Sequence, residues 1–280
     1  MLEKILETVD FIKSKTNGFE PEVGIVLGSG LGGLVNVIDT QYAISYKDIP
    51  NFPISTVHGH EGKLILGTLS GRKVVAMQGR FHYYEGYSTK EVTFPIRVLK
   101  YLGIKLLVLS NASGGVNPDF RVSDIMFITD HINLLPNPLI GKNDDRIGTR
   151  FPELSEAYNK NVLAFADKIA DELKIQVQHG VYVGDTGPTY ETPAEYNYYR
   201  IIGGDCVGMS TVPEVIVARH CGLPVFAMSI ITDLGGKDIA VQVTHEEVTH
   251  EEVINAANVA EPKMTAILKE MLKRLDEINF

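Results

Sequence analysis

Arg80, His82 and Tyr84 fall at alternate positions in Gln78-Gly79-Arg80-Phe81-His82-Tyr83-Tyr84-Glu85-Gly86-Tyr87, a segment that crowds two anion-binding side chains and several aromatics between glycines. In an extended chain alternate residues point the same way, so a guanidinium, an imidazole and a phenol would share one face. Such a face suits an oxyanion at one end and a ring or hydroxyl at the other. The competing reading is that Arg80 and His82 are paired with buried carboxylates. The segment alone leaves both standing.

Other glycine-rich segments have a related character. Gly28-Ser29-Gly30-Leu31-Gly32-Gly33 matches the dinucleotide fingerprint G-x-G-x-x-G. That reading needs a helix after the loop, and Val37-Ile38-Asp39-Thr40-Gln41-Tyr42 makes a poor one, with Pro50 and Pro53 beyond Asp48. The loop does place Ser29 where a hydroxyl and backbone N–H groups can approach an oxyanion, although a plain strand-to-helix turn would look the same. His58-Gly59-His60-Glu61-Gly62 precedes an apolar run, while Asn111-Ala112-Ser113-Gly114-Gly115 and Gly184-Asp185-Thr186-Gly187-Pro188-Thr189-Tyr190-Glu191-Thr192 follow two others. Gly208-Met209-Ser210-Thr211-Val212-Pro213-Glu214 opens a helical pattern, so Ser210 is either its N-cap or part of an anion site at its start. Loops at the carboxyl ends of strands in an open α/β sheet converge on one crevice. Ser210, Asp233 and His250 follow the chain order of a hydrolase triad, but Val212 stands where the G-x-S-x-G elbow needs glycine. The histidine pairs His58/His60 and His245/His250, and His220 beside Cys221, lack further ligands at metal-binding spacing.

The elements that must carry these segments read as an α/β chain. Helical apolar spacing covers Leu2–Lys15, Thr89–Tyr101, Glu153–Leu173, Pro193–Ile202, Val212–Cys221 and a last helix from about Glu246 to Leu275. Short apolar runs mark strands at Val23–Leu27, Leu64–Leu69, Lys73–Met77, Leu106–Leu109, Ile125–Thr129, Val181–Val183 and Pro224–Ile231. The alternation predicts a single domain over residues 1–280, a central mixed sheet flanked by helices. With 26 Lys and Arg against 35 Asp and Glu the net charge is −9, which argues against nucleic acid or an anionic membrane as the main partner. Any phosphate site must then be local. Two cysteines and no long apolar segment point to a soluble cytoplasmic protein.

Taken in order, the segments resemble the purine nucleoside phosphorylase family, in its trimeric class. The signposts are Gly28-Ser29-Gly30-Leu31-Gly32, His60-x-Gly62, Gln78 to Tyr87, Asn111-Ala112-x-Gly114-Gly115, Asp130-His131-Ile132-Asn133, Tyr190-Glu191-Thr192 and Gly208 to Glu214. The resemblance implies a homotrimer that uses inorganic phosphate as co-substrate, with no metal or organic cofactor, and cleaves purine nucleosides to base and ribose 1-phosphate. It assigns the phosphate site to Ser29, His60, Arg80, His82, the N–H of Ala112 and Ser210. Tyr84, Met209 and His250 would line the ribose, and Tyr190, Glu191 and Asp233 the base, with His82, Glu191 and Asp233 as the catalytic set. His250 is chosen over His245 because the helix after it fits the motif better. Arg80→Ala is expected to lower phosphorolysis sharply without unfolding the protein.

Two positions depart from the family pattern. Ser229-Ile230-Ile231-Thr232-Asp233 ends in Asp where members selective for 6-oxopurines have Asn. An ionised Asp only accepts hydrogen bonds, which favours a 6-amino group, whereas Asn donates to N7 and O6. Methylthioadenosine phosphorylases also carry Asp, but they usually have Thr where this chain has Ser29, and His250 suits a 5′-hydroxyl better than a methylthio group, so inosine and guanosine come first and adenosine stays open. Ile147 stands where the family often presents a Phe to the neighbouring subunit's ribose. The other alternative is a relative that binds nucleosides without catalysis.

Overall fold

Residues 1–28, 32–54, 56, 61–235 and 249–280 are described by this computed structural model; Ser29, His60 and the duplicate His245 lie outside them, and so does the side chain of His250. The chain opens with helix α1 (Leu2–Lys15), which buries Ile5, Val9 and Ile12 and ends in Lys13 and Lys15, where cations suit a helix C-terminus. Strand β1 (Val23–Leu27) is buried throughout and leads into β2 (Asp39–Ser45), β3 (Lys63–Leu69) and β4 (Arg72–Gln78). Helices α2 (Thr89–Val92) and α3 (Phe94–Leu102) precede β5 (Leu106–Gly115) and β6 (Ile125–Asn133). Then come α4 (Lys160–Glu172), β7 (Gln178–Gly184), α5 (Pro193–Ile201), β8 (Cys206–Gly208), α6 (Val212–His220), β9 (Val225–Leu234) and α7 (His250–Lys273).

The strands form one mixed sheet in the order β2-β3-β4-β1-β5-β8-β7-β6-β9, and β9 returns to pair with β5, so the last five strands close on themselves. Strands β4, β1, β5 and β9 run parallel, which brings their carboxyl ends to one edge. β8 crosses the end of β5 in the opposite direction, pairing Val207 with Gly114, and so carries Met209 and Ser210 back alongside Ala112. Two helix groups, α1 with α3 and α6, and α4 with α7, flank the sheet over a continuous apolar core.

Several boundaries differ from the periodicity. The predicted helix over Thr89–Tyr101 breaks at Thr93, because Pro95 has no N–H to continue α2 and instead occupies the first turn of α3. The helix expected from Glu153 starts at Lys160, where Asn159 Oδ1 accepts the Val162 N–H at 3.0 Å. Asn111–Gly115, read as a loop after a strand, is the second half of β5. β2 and β8 were not foreseen: one is an exposed polar edge strand and the other only three residues long.

Candidate active site

A cavity of about 120 Å³ opens where these strand ends meet, and Arg80, His82, Tyr84, Ala112, Tyr190, Glu191, Met209, Ser210 and Asp233 all line it. Sequence reasoning gave no role to Asn111, Ser113 and Thr232, which lie inside the motif segments and line the cavity, and it missed Val253 altogether. The last comes from the first turn of α7, which starts at a capping box: Thr249 N–H donates to Glu252 Oε2 at 2.9 Å and Glu252 N–H to Thr249 Oγ1 at 3.3 Å. His250 is thus the first residue of a helix that reaches the cavity.

At one end sits Arg80, 1% exposed. Its Nη2 donates to Glu214 Oε2 at 2.8 Å, and its Nη1 to the Ser110 carbonyl at 2.7 Å and to Ser210 Oγ at 3.2 Å. Both sequence readings of the segment therefore hold at once: the guanidinium is paired with a buried carboxylate and still faces the cavity. Ser210 is not the N-cap of α6; that position belongs to Thr211, fully buried with φ +65°, a left-handed conformation that a β-branched residue adopts only under strain. Asn111 Nδ2 holds Thr211 Oγ1 at 2.8 Å, and the distorted turn delivers Ser210 to Arg80 at the start of α6, where helix N–H groups favour an anion.

His82 and Tyr84 do not continue an extended row. The chain turns into a short 3₁₀ helix at Tyr83–Glu85, and the Tyr84 ring stacks on His82 with centroids 4.7 Å apart and planes at 15°. Glu85 Oε1 accepts both the His82 N–H at 2.8 Å and its Nδ1 at 3.0 Å. Burial lowers the His82 pKa, with the Arg80 charge acting the same way and Glu85 opposing, so the ring is neutral at pH 7 with its Nδ1 hydrogen held by Glu85. Burial would raise Glu85, but the bonds it accepts from His82 and Thr56 outweigh that and pull it down to about 2.

The other end is carboxylate-rich. Asp233, at the end of β9, accepts the Tyr196 phenol on Oδ2 at 2.6 Å and lies 2.9 Å from Thr232 Oγ1 through Oδ1. Burial raises Glu191 to about 7, the Asp233 charge adds to this, and a hydrogen bond with Tyr196 pulls against it. Tyr190 is 42% exposed at the rim. Met209 is fixed by Gly187, whose φ of +58° favours glycine and whose Cβ would lie 2.2 Å from the Met209 sulfur.

The competing chemistries fare poorly. Gly28 leads through Gly32–Val37, a 3₁₀ segment, into edge strand β2, not into the long helix a dinucleotide needs. Among the described residues Ser210 meets Arg80 and Thr211, and Asp233 meets Tyr196, and neither contact is one a hydrolase triad uses. His220 is tied to Arg97 and Asn143. Among the described residues no group of three or more His, Cys, Asp or Glu is placed to hold a metal, and no helix is long and apolar enough to cross a membrane.

The sequence model of the phosphorylase superfamily matches residues 22–273. Purine nucleoside phosphorylase 1 of Bacillus subtilis is 51% identical over 249 residues, 89% of this chain and 92% of that protein. Isoform 2 of the purine nucleoside phosphorylase of Schistosoma mansoni, solved with cytosine and ribose 1-phosphate, superposes with a TM-score of 0.91 at 45% identity, covering 98% of this chain and 96% of that one. A purine nucleoside phosphorylase of the same organism, solved with adenosine, gives 0.91 at 44% identity, covering 98% and 97%.

Proposed function

The chain belongs to the purine nucleoside phosphorylases of the phosphorylase superfamily, and from that premise we propose that it catalyses reversible phosphorolysis of purine ribo- and 2′-deoxyribonucleosides to free base and (2-deoxy)ribose 1-phosphate. Inosine and guanosine are the favoured substrates, with adenosine within reach. The observation that carries the reading is a single cavity with an anion-binding end, Arg80, His82 and Ser210, and a carboxylate end, Glu191 and Asp233. A nucleoside spanning it meets phosphate at C1′ and the carboxyl groups at its base.

The chemistry follows from charge. As the glycosidic bond stretches, the ribose becomes cationic and the base anionic, so a phosphate dianion held against C1′ stabilises the first and hydrogen bonds to the base stabilise the second. Arg80, Ser210 and the Ala112 N–H donate to phosphate, while His82, whose Nδ1 hydrogen is held by Glu85, accepts the phosphate hydroxyl at Nε2; Ser29 and His60 complete the set. Tyr84, Met209 and His250 enclose the ribose, and Tyr190 and Glu191 the base. The rest of catalysis is positioning, and the reaction as written needs no metal or organic cofactor. The working form is a cytoplasmic homotrimer of one-domain chains over residues 1–280. Ile147 packs against the core and lines a different cavity, with Arg97 and His220, away from the nucleoside cavity of its own chain.

The test is base release from inosine and from adenosine, each with and without inorganic phosphate. Phosphate-dependent release is expected, and release that ignores phosphate would make the protein a hydrolase. Asp233→Asn keeps an acceptor for the Tyr196 hydroxyl and turns an amide donor toward O6 and N7. It is expected to raise the inosine-to-adenosine ratio of kcat/KM by about tenfold or more. An unchanged ratio would refute a selectivity role for Asp233.

A further inference from the structure

Behind the cavity wall, Tyr196 on α5 donates its phenol hydrogen to Asp233 Oδ2, although Tyr196 does not itself line the cavity. The ring is seated by two glycines. A Cβ on Gly235 would lie 2.2 Å from its Cδ1, and one on Gly114 would lie 2.6 Å from its hydroxyl and 3.0 Å from Asp233 Oδ2. The end of β5, the end of β9 and the first turn of α5 therefore shape a slot for this phenol against this carboxylate. Burial, followed by the charges of Asp233 and Glu191, holds the phenol's pKa far above neutrality, so it remains a donor at any working pH.

A donor aimed at a carboxylate favours its charged form, and a charged carboxylate can only accept from a ligand. The 6-amino group of a purine donates, whereas a 6-oxo group presents lone pairs. Resting on the base subsite described above, we propose that Tyr196 is a positioning residue that sets Asp233 as a hydrogen-bond acceptor and so fixes how far the site accommodates 6-aminopurine against 6-oxopurine nucleosides. Removing the hydroxyl leaves Oδ2 unanchored, so the carboxylate no longer holds a fixed acceptor toward the 6-position of the base.

The experiment measures kcat/KM for adenosine and inosine in four proteins that all carry Glu191→Gln, so that the hydrogen bond Tyr196 also makes to Glu191 cannot move the ratio: this parent, Tyr196→Phe, Asp233→Asn and the double variant. Tyr196→Phe is expected to lower the adenosine-to-inosine ratio about tenfold, the scale of one charge-assisted hydrogen bond, while KM for phosphate stays put. In the Asp233→Asn background the same change should move the ratio by no more than about twofold, since the effect runs through Asp233. A ratio unmoved by Tyr196→Phe, or moved equally in both backgrounds, overturns the positioning role. If Asp233→Asn also leaves the ratio at the parent value, the base-subsite reading falls with it; if Asp233→Asn shifts the ratio and Tyr196→Phe does not, only the role of Tyr196 falls. Site-specific 3,5-difluorotyrosine at position 196 of the same parent keeps the ring and sharpens the donor, and it should raise the ratio. A fall or no change there overturns the proposal even if the phenylalanine variant fails to fold.

Discussion

Arg80→Ala is expected to lower kcat/KM for phosphate by about 10²–10³-fold, the usual effect of removing a donor aimed at developing or bound negative charge. It is also expected to destabilise the fold without unfolding it, a cost that the sequence did not show. Arg80 and Glu214 are 1% and 3% exposed and joined at 2.8 Å, so alanine strands a buried carboxylate. Breaking a buried pair from one side costs on the order of 3–5 kcal/mol, which at about 2–4 °C per kcal/mol is a visible fall in Tm for a chain of this size. A paired control separates the two effects. Replacing both partners with apolar residues of similar volume, Arg80→Met with Glu214→Leu, should recover much of the lost stability and none of the activity. Unchanged turnover of Arg80→Ala at low phosphate would remove Arg80 from the site. Full activity in the double variant would do the same.

How much of this was legible beforehand depended on how local the signal was. Alternation of apolar runs with helical spacing located β1, β3 and β4 to within one residue and β9 to within three, because buried strands in a helix-covered sheet are continuously apolar. Arg80, His82, Ser210, Glu191 and Asp233 were legible as motif residues; the parallel ends of β4 and β9 bring Arg80, His82 and Asp233 to the cavity, and the oppositely directed β7 and β8 bring Glu191 and Ser210 to it. The partners that tune them were not. Glu214 lies 134 residues from Arg80 and Tyr196 lies 37 from Asp233, so no spacing rule connects them. Within α5, Tyr196 reads as an ordinary helical aromatic; only the return of β9 to β5 makes it a neighbour of Asp233. Thr211 gave no sign of its positive φ either, since a Ser-Thr pair before an apolar helix reads as a plain cap.

Glu191 gives the second large expected effect, a pH dependence of opposite sign for the two base classes. Its pKa is raised to about 7 in the free protein, chiefly by burial, and kcat/KM reports ionisations of the free enzyme. The N1–H of a 6-oxopurine donates and needs an ionised Glu191. With inosine, kcat/KM should therefore rise with pH up to about 7 and level off. The N1 of adenine carries a bare lone pair and needs a protonated Glu191 to donate to it, so with adenosine kcat/KM should be level below about 7 and fall above it. The adenosine-to-inosine ratio then falls about tenfold per pH unit across the whole range, as a single proton requires. Phosphate titrates near the same pH, but it enters both reactions alike and cancels in the ratio. Glu191→Gln cannot titrate: its ratio should be flat with pH, and its inosine kcat/KM at high pH should drop about 10- to 100-fold with the loss of a charged hydrogen bond. A flat wild-type ratio would mean that Glu191 does not face N1. A sloping ratio that survives Glu191→Gln would hand the titration to another group in the cavity.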